Sequence, residues 1–219
     1  MHRRWLSRAL IALAVPALIV PAATATAAAP AKVPTIDAVA KIYPHLAGGT
    51  ASESTSKVLG PGKKCKAGKA IKGASSTSAS YSPDYMTADP GALLPTGATP
   101  MLSVTALKFP NAKLAIAYLH GFQTSYKDCP GGGGGAGGGG GGGQLPDCKY
   151  SMTKIKFKLG DERWGNQMKS VCPDSSSVMN MLFARKGKVI VYVNAMSMDA
   201  TAPSIPSSID LTKLALGTV

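Results

Sequence analysis

The stretch VMNMLFARKGKVIVYVNAM, residues 178–196, decides the fold. Apolar residues fill both of its halves, and Lys186-Gly187 lies between them where a tight turn is expected. We therefore predict a hairpin with one strand over Val178–Ala184 and the other over Lys188–Met196. The second strand carries apolar residues on both faces. It should be a central strand, either covered on both sides or with one side open to a ligand groove.

Alternating patterns extend the predicted sheet toward the N-terminus. In Ser151–Leu159, apolar residues alternate with lysines, which predicts a strand with one core face and one face in water. A turn at Gly160-Asp161-Glu162 leads to a second strand over Trp164–Val171. Met101–Phe109 alternates in the same way. The outward lysines after the glycine-rich run are Lys154, Lys156 and Lys158.

Helices are predicted to pack on this sheet. Asn111 caps one that continues to about Tyr126 with an apolar stripe at helical spacing. Thr35 caps a shorter one through Leu46, and Ser207 or Ser208 caps a last one through Leu216. Residues 47–100 are rich in Gly, Ser, Thr, Ala and Pro, which predicts turns and loops with a strand only near Thr77–Tyr81. The predicted class is α+β, an antiparallel meander sheet packed by helices.

Residues 1–29 have the layout of a secretory signal. Arg3, Arg4 and Arg8 precede the apolar run Leu10–Val20, and small residues allow cleavage after Ala27 or Ala29. The alternative is an uncleaved anchor, but prolines interrupt the run and its second half is weakly apolar. Residues 30–219 should then form a single extracellular domain.

Four cysteines follow the signal, and in an exported chain they predict two disulfides. The turn at Gly160 lies midway between Cys148 and Cys172, so a hairpin brings these two together. Cys65–Cys129 follows by elimination, and Cys129–Cys148 is the competing pair. A structural zinc site is the other alternative, but no two cysteines share the short spacing that zinc sites use.

The run of glycines over residues 131–143, interrupted only by Ala136, predicts a flexible, disordered loop. A phosphate-binding loop needs a few glycines at fixed spacing between a strand and a helix, and this pattern is absent.

The chain is basic, with a formal net charge of +13. Outside a cell such a surface attracts anionic polymers, although a merely solvated basic face is the simpler interpretation. The excess is mostly lysine, a point charge without the arginine fork, so specific nucleic-acid recognition is not expected. The N-terminal candidate contacts with an anionic polymer are Lys63, Lys64, Lys66, Lys69 and Lys72. The later candidates are the three lysines that alternate in the strand at 151–159.

A further set of short motifs occurs in a fixed order. It consists of Phe109-Pro110, the alanines 112, 115 and 117, Cys129, Gly160-Asp161-Glu162 and the hairpin FARKGKVIV at residues 183–191. This order resembles the PknH-like extracellular sensor domains of actinobacterial secreted proteins and lipoproteins, over about residues 45–216. The resemblance implies an antiparallel sheet against helices, two disulfides, and a ligand-binding role with no defined substrate. The chain departs from it in having no kinase domain, no lipid-accepting cysteine and a glycine run between helix and sheet.

No catalytic motif is present, and we expect no enzyme activity, no cofactor and no bound metal. His120 lies in the predicted helix without a second ligand at metal spacing, so a structural or surface role is favoured. The candidate ligand-binding residues are Trp164, Tyr192 and Asn194, beside the second apolar face of the sheet. Methionines at alternating positions could bind soft metals such as Cu(I), although core filling is the commoner role. We therefore expect a monomeric secreted ligand-binding or sensor-like module, or alternatively a basic protein that binds anionic cell-wall polymer.

Overall fold

The structure is a computed structural model that describes residues 29–60, 68–84, 101–128 and 147–219, without the side chains of 125–128. Within these ranges the chain forms one sheet of seven antiparallel strands, three α-helices and a short 3-10 helix. The strands are β1 (Thr50–Leu59), β2 (Ala70–Ser82), β3 (Met101–Lys108), β4 (Lys149–Lys154), β5 (Glu162–Val171), β6 (Ser176–Lys186) and β7 (Val189–Ser197). The helices are α1 (Ile36–Ala40), α2 (Ala112–Asp128) and α3 (Ile205–Thr218), with the 3-10 turn at Pro44–Leu46.

The predicted hairpin is confirmed and forms the middle of the sheet. Strands β6 and β7 pair from Val178↔Ser197 to Lys186↔Val189, and the sheet order is β1-β2-β3-β7-β6-β5-β4. The sheet is two meanders, β1–β3 and β4–β7, joined where β3 pairs with β7. It is thus α+β as predicted, but it is not a single continuous meander.

The predicted strand near Thr77–Tyr81 is confirmed as part of β2, but the prediction of turns and loops for the rest of residues 47–100 is wrong where the structure describes strands there. Residues 50–59 and 70–82 form two long paired strands, β1 and β2. Their sequences are mostly serine, threonine and alanine, so neither strand shows an apolar alternation. They are held by cross-strand pairs of small polar residues and by the ladder to β3. Residues 85–100 lie outside the described part.

Three element boundaries also differ from prediction. Strand β4 ends at Lys154, although the burial alternation continues through residue 159. The first helix is only Ile36–Ala40, capped by Thr35 as predicted. The last helix begins at Ile205, one turn early, because Ser204 rather than Ser207 or Ser208 is its N-cap and accepts from the Ser207 amide.

Both faces of the sheet are covered over part of their area. On one face, Leu211 and Ala215 of α3 pack with the N-terminal segment against Val104, Val191 and Val193. On the other face α2 packs against the sheet. Its core residues and their sheet partners are Ala115, Tyr118, Leu119, Phe122, Leu107, Phe183 and Ile190. The predicted central strand covered on both sides is therefore β7.

The Cys148–Cys172 disulfide is confirmed. It closes the open end of the β4–β5 hairpin beside the pair Lys149↔Val171. Cys65 and Cys129 lie outside the described residues, as do the signal region 1–28 and the glycine run, so those predictions stay predictions. Among the residues that the structure describes, no helix is both long and apolar enough to cross a membrane.

Burial of Tyr118 on the sheet-facing side of α2 predicts a loss of stability in alkali. Burial raises the pKa of its phenol to about 12, from 10.0. Below pH 10 the phenol is neutral in both states; between pH 10 and 12 only the unfolded state ionises, and up to about 2.7 kcal/mol is lost. Urea titrations across this range should show a shallower pH dependence for Tyr118→Phe than for the natural chain. Equal slopes would contradict the assigned burial effect.

Candidate functional site

A cleft of about 730 Å³ lies between α2 and the segment 154–165. Helix α2 contributes His120 and Gln123, and the other wall comes from β5 and the chain that leads into it. The remaining lining residues run from Lys154 to Lys158 and from Asp161 to Gly165. The volume lies within the range of ordinary ligand sites. The cleft brings together two sets of residues that the sequence predicted separately, namely Trp164 and the three alternating lysines.

The aromatic wall of the cleft is formed by packed rings. Trp164 lies on β5, with its ring centroid 5.1 Å from that of Phe183 and 6.1 Å from that of Phe122 on α2. Phe122 and Phe183 are 4.7 Å apart, and the Phe183 and Tyr192 rings stack at 4.0 Å. Buried Phe183 contacts both Trp164 and Tyr192, and Trp164 presents part of its indole to the cleft.

Two of the three predicted ligand-binding residues do not line this cleft. Tyr192 is half-buried against Phe183 and Phe122 on the same sheet face. Asn194 lies two residues further along β7, and its amide donates to Ser103 Oγ at 3.4 Å. A single pocket formed by all three is therefore not observed. Trp164 alone lines the cleft, with Tyr192 behind it in the packed layer.

The lysine row consists of Lys154, Lys156 and Lys158, all exposed, while Ile155, Phe157 and Leu159 turn inward. This alternation is that of an extended segment, in which every second Cα repeats at about 6.7 Å. Within the described residues none of these lysines is paired with a carboxylate. The row therefore offers a line of free positive charges along one edge of the cleft.

Gly165 lets the lysine row approach β5. Its carbonyl accepts from the Ile155 amide at 2.9 Å, beyond the end of the β4 strand. A Cβ at position 165 would lie 2.9 Å from Phe157 Cε1 and 3.3 Å from Ile155 Cβ. Only glycine leaves room for these two side chains to pack on β5.

Arg185 holds the turn at the base of the cleft. Its side chain is 8% exposed and donates through Nη1 to Asp161 Oδ2 and through Nη2 to Glu162 Oε1, both at 3.0 Å. Nη1 also donates to the Gly187 carbonyl at 2.7 Å. Gly160 adopts φ +65°, and a Cβ there would collide with the Arg185 carbonyl oxygen. These contacts bind the 160–162 turn to the β6–β7 hairpin.

Sequence reasoning did not assign this role to Arg185. Its position in the strand could have indicated this role, because residues 179, 181 and 183 of β6 lie on the same sheet face and are all apolar. A charge at the next inward position of such a strand needs a partner. Asp161 and Glu162, interpreted as solvated turn residues, are that partner.

His120 closes the helical side of the cleft. Its Nε2 lies 2.9 Å from Glu162 Oε2, with side-chain exposures of 62% and 31%. It is a surface histidine that ties α2 to β5, in keeping with the favoured prediction. In the part of the chain that the structure describes, no three His, Cys, Asp or Glu residues are grouped to hold a metal ion.

The N-terminal lysine candidates lie elsewhere. Lys69 precedes β2 and Lys72 lies on it, and three strands separate β2 from β5. Four strand spacings amount to about 19 Å, so these two lysines do not join the lysine row. Lys63, Lys64 and Lys66 lie outside the described residues.

The cleft is positively charged overall. Its two carboxylates are both held by Arg185, whereas the lysine row and Arg163 remain as cations at its mouth. Arg163 is oriented by a 2.8 Å hydrogen bond from its Nε to the Phe157 carbonyl. Such an arrangement can attract and hold anionic groups, with the Trp164 ring available for an apolar or sugar face.

No protein-family model and no curated protein sequence matches the chain. Among solved structures, it is similar to the extracellular domain of PknH from Mycobacterium tuberculosis. That likeness has a TM-score of 0.46 and 12% identity, over 85% of this chain and 92% of that one. It is also similar to LpqN, involved in cell envelope biogenesis of the same organism, with a TM-score of 0.28 and 12% identity over 76% and 81% of the two chains. The predicted resemblance to PknH-like extracellular domains is therefore confirmed.

Proposed function

We propose that the protein is a secreted, non-enzymatic module that binds an anionic ligand of the cell envelope in the cleft between α2 and residues 154–165. One observation carries this proposal. In the described part of the chain the lysine row has no carboxylate partner, and it shares an opening with Trp164, while Arg185 holds both carboxylates that line the cleft. The cleft thus contains one of the predicted ligand-binding residues, Trp164, and the later set of predicted polymer contacts, the lysine row.

The geometry favours a ligand with repeated negative charges. A single phosphate or carboxylate is usually held by converging donors such as an arginine fork or a helix N-terminus. The lysine row instead spaces point charges along a line of about 13 Å. This pattern suits an extended polymer of phosphate or carboxylate groups, with Trp164 in contact with a ring or alkyl part of the repeat.

The same contacts support a role in binding rather than catalysis. General acid-base chemistry needs a carboxylate or imidazole that can reach the substrate and exchange a proton. Asp161 and Glu162 are committed to Arg185, and His120 is committed to Glu162. Export is supported by the signal layout of residues 1–29 and by the disulfide, which is typical of oxidising compartments.

Neutralising the lysine row should weaken binding of a polyanion strongly. In Lys154→Gln/Lys156→Gln/Lys158→Gln, the loss of about 1 kcal/mol per lysine, as measured at anionic surfaces, amounts to roughly 100-fold in Kd at low salt. The probe is dextran sulfate, with uncharged dextran of equal length as the reference. Affinity is measured by calorimetry at two salt concentrations, and the salt dependence should also become shallower in the variant.

The matched control removes three lysines near the opposite edge of the sheet. Lys57, Lys69 and Lys72 are exposed on or beside β1 and β2, so Lys57→Gln/Lys69→Gln/Lys72→Gln changes the net charge equally. This variant should retain most of the affinity. An equal loss in both triple variants would show that net charge alone governs binding, and the proposal would fail.

A further inference from the structure

Five methionines form an unbroken row across the sheet. Met101 is the register partner of Met196, and Met196 is also the partner of Met179. The row continues through Met168 on β5 to Met152 on β4. Partners in an antiparallel sheet point to the same face with Cβ atoms about 4.5–5.5 Å apart. The methionine row, defined by these five residues, therefore places thioethers side by side on five adjacent strands.

The methionine row is a surface feature, contrary to the expectation of core filling. Met101 and Met152 are 50% and 48% exposed, and the three central members are half-buried. Among the methionines that the structure describes, Met181, two residues from Met179 on the same face, is the one that is buried, at 3%. Met198, outside the row, is 66% exposed. The core cluster that α2 forms with Leu107, Phe183 and Ile190 on this face does not include the methionines of the row.

Strand formation does not explain this composition. β-Branched and aromatic residues are the ones that strands favour, and any of them would supply the same apolar area with less side-chain entropy to lose. Methionine differs from them by its polarisable sulfur and by three rotatable bonds, which allow neighbouring sulfurs to converge on one point. Thioethers select soft ions such as Cu(I) over Mg²⁺ or Zn²⁺.

The surroundings of the row favour the same class of ion. On one side of the methionine row, the next register positions of the same sheet face are two residues along each strand. They are occupied by Ser103, Asn194, Met181, Asn166 and Lys154. None of these five residues is a carboxylate, so this side of the row offers no charged oxygen to a hard divalent cation. Thiolates are consumed by oxidation where disulfides form, whereas thioethers remain available as soft ligands there.

We infer that the methionine row is a Cu(I) site, with the Sδ atoms of Met168, Met179 and Met196 as its ligands. Met179 is the central member of the row, and Met168 on β5 and Met196 on β7 are its register partners. Met181 supplies a fourth sulfur from the same strand. Copper binds as Cu(I) and leaves as Cu(I), so no electron or proton is transferred.

The test uses the mature oxidised protein after alkylation of any free thiol. Ag(I), a soft ion that is not reduced or oxidised under these conditions, is titrated while the methionine methyl groups are followed by NMR. Cu(I) affinity is then measured without oxygen against a chromophoric chelator. The methyl signals of residues 168, 179 and 196 should shift at one ion per chain, and Zn²⁺ should leave them unmoved. Unshifted methyl signals would overturn the inference.

Two conservative variants separate a metal site from an apolar surface. Met179→Leu keeps volume and apolar character, so the fold should be retained, but it removes the central sulfur. Cu(I) should then bind about 100-fold more weakly, since even changes outside the ligand set cost 10- to 100-fold. Met198→Leu should have no effect. Full affinity in Met179→Leu, or equal losses in both variants, would refute the site. Met196→Leu repeats the test if circular dichroism shows that Met179→Leu is unfolded.

Discussion

Replacing Phe183 by alanine is expected to lower the free energy of unfolding by about 3–5 kcal/mol. Phe183 is fully buried on β6 and contacts the rings of Phe122, Trp164 and Tyr192. Its loss would leave a cavity between α2 and the sheet, and the rigid neighbours could not close it. Urea denaturation followed by circular dichroism measures the effect as a shift of the midpoint at unchanged slope.

Phe183→Leu is the matched control, because it keeps most of the buried apolar volume and should cost less than half as much. The alanine variant should also loosen Trp164, seen as a red shift and broadening of the indole fluorescence. A cost below about 1 kcal/mol for Phe183→Ala would mean that α2 does not pack on the sheet as described.

Removal of the Cys148–Cys172 disulfide should destabilise the protein by about 3.5 kcal/mol. The cross-link closes a loop with a sequence separation of 24, and the chain-entropy relation gives this value for such a loop. Strand β4 is the edge of the sheet and is almost wholly exposed, so it has little buried apolar area to hold it without the cross-link. The double variant Cys148→Ser/Cys172→Ser is measured by the same urea titration.

Amide hydrogen exchange shows which strands are destabilised when the disulfide is removed. The amides of β4 and the adjoining part of β5 should lose protection first, while β3 and β7 keep theirs. A matched change on β4, Ser151→Ala, alters an exposed side chain without touching the cross-link and should leave exchange unchanged. A uniform loss of protection over all seven strands would contradict a local role for the cross-link.

The elements that the sequence predicted well are those with a strong apolar period. The β6–β7 hairpin, β3 and the Asn111-capped helix α2 all have one, and Asn111 Oδ1 does accept from the Leu114 amide at 2.9 Å. The Cys148–Cys172 pairing followed from the position of the turn. In each of these cases local pattern and tertiary packing favour the same structure.

Strand β1 was missed and β2 was predicted only near Thr77–Tyr81, because most side chains of these two strands are small or polar and show no apolar alternation. Serine, threonine and alanine bury little, and these strands form because β3 offers a paired edge and each continues the ladder. The register between two paired strands likewise cannot be predicted from the sequence of either strand alone. Methionines at alternating positions were evident, but their alignment across five strands required the strand order and the pairing.

The candidate site was only partly predictable for the same reason. The lysine row and Trp164 were each recognised from their own segment, yet nothing local indicates that α2 and residues 154–165 enclose a common cleft. Tyr192 was correctly placed on the second face of the sheet, but it packs with Phe183 rather than lining the cleft. The Arg185 contacts link turns 24 residues apart, a distance over which side-chain pairing is set by topology.

Chemical-shift mapping of the isotope-labelled mature domain with dextran sulfate tests the proposed site most directly. Binding through the cleft should perturb the amides of residues 154–158, the Trp164 indole and the His120 ring, with saturation and with loss at high salt. Perturbations of comparable size at Lys57, Lys69 and Lys72, with none at Trp164, would contradict a binding site between α2 and the lysine row.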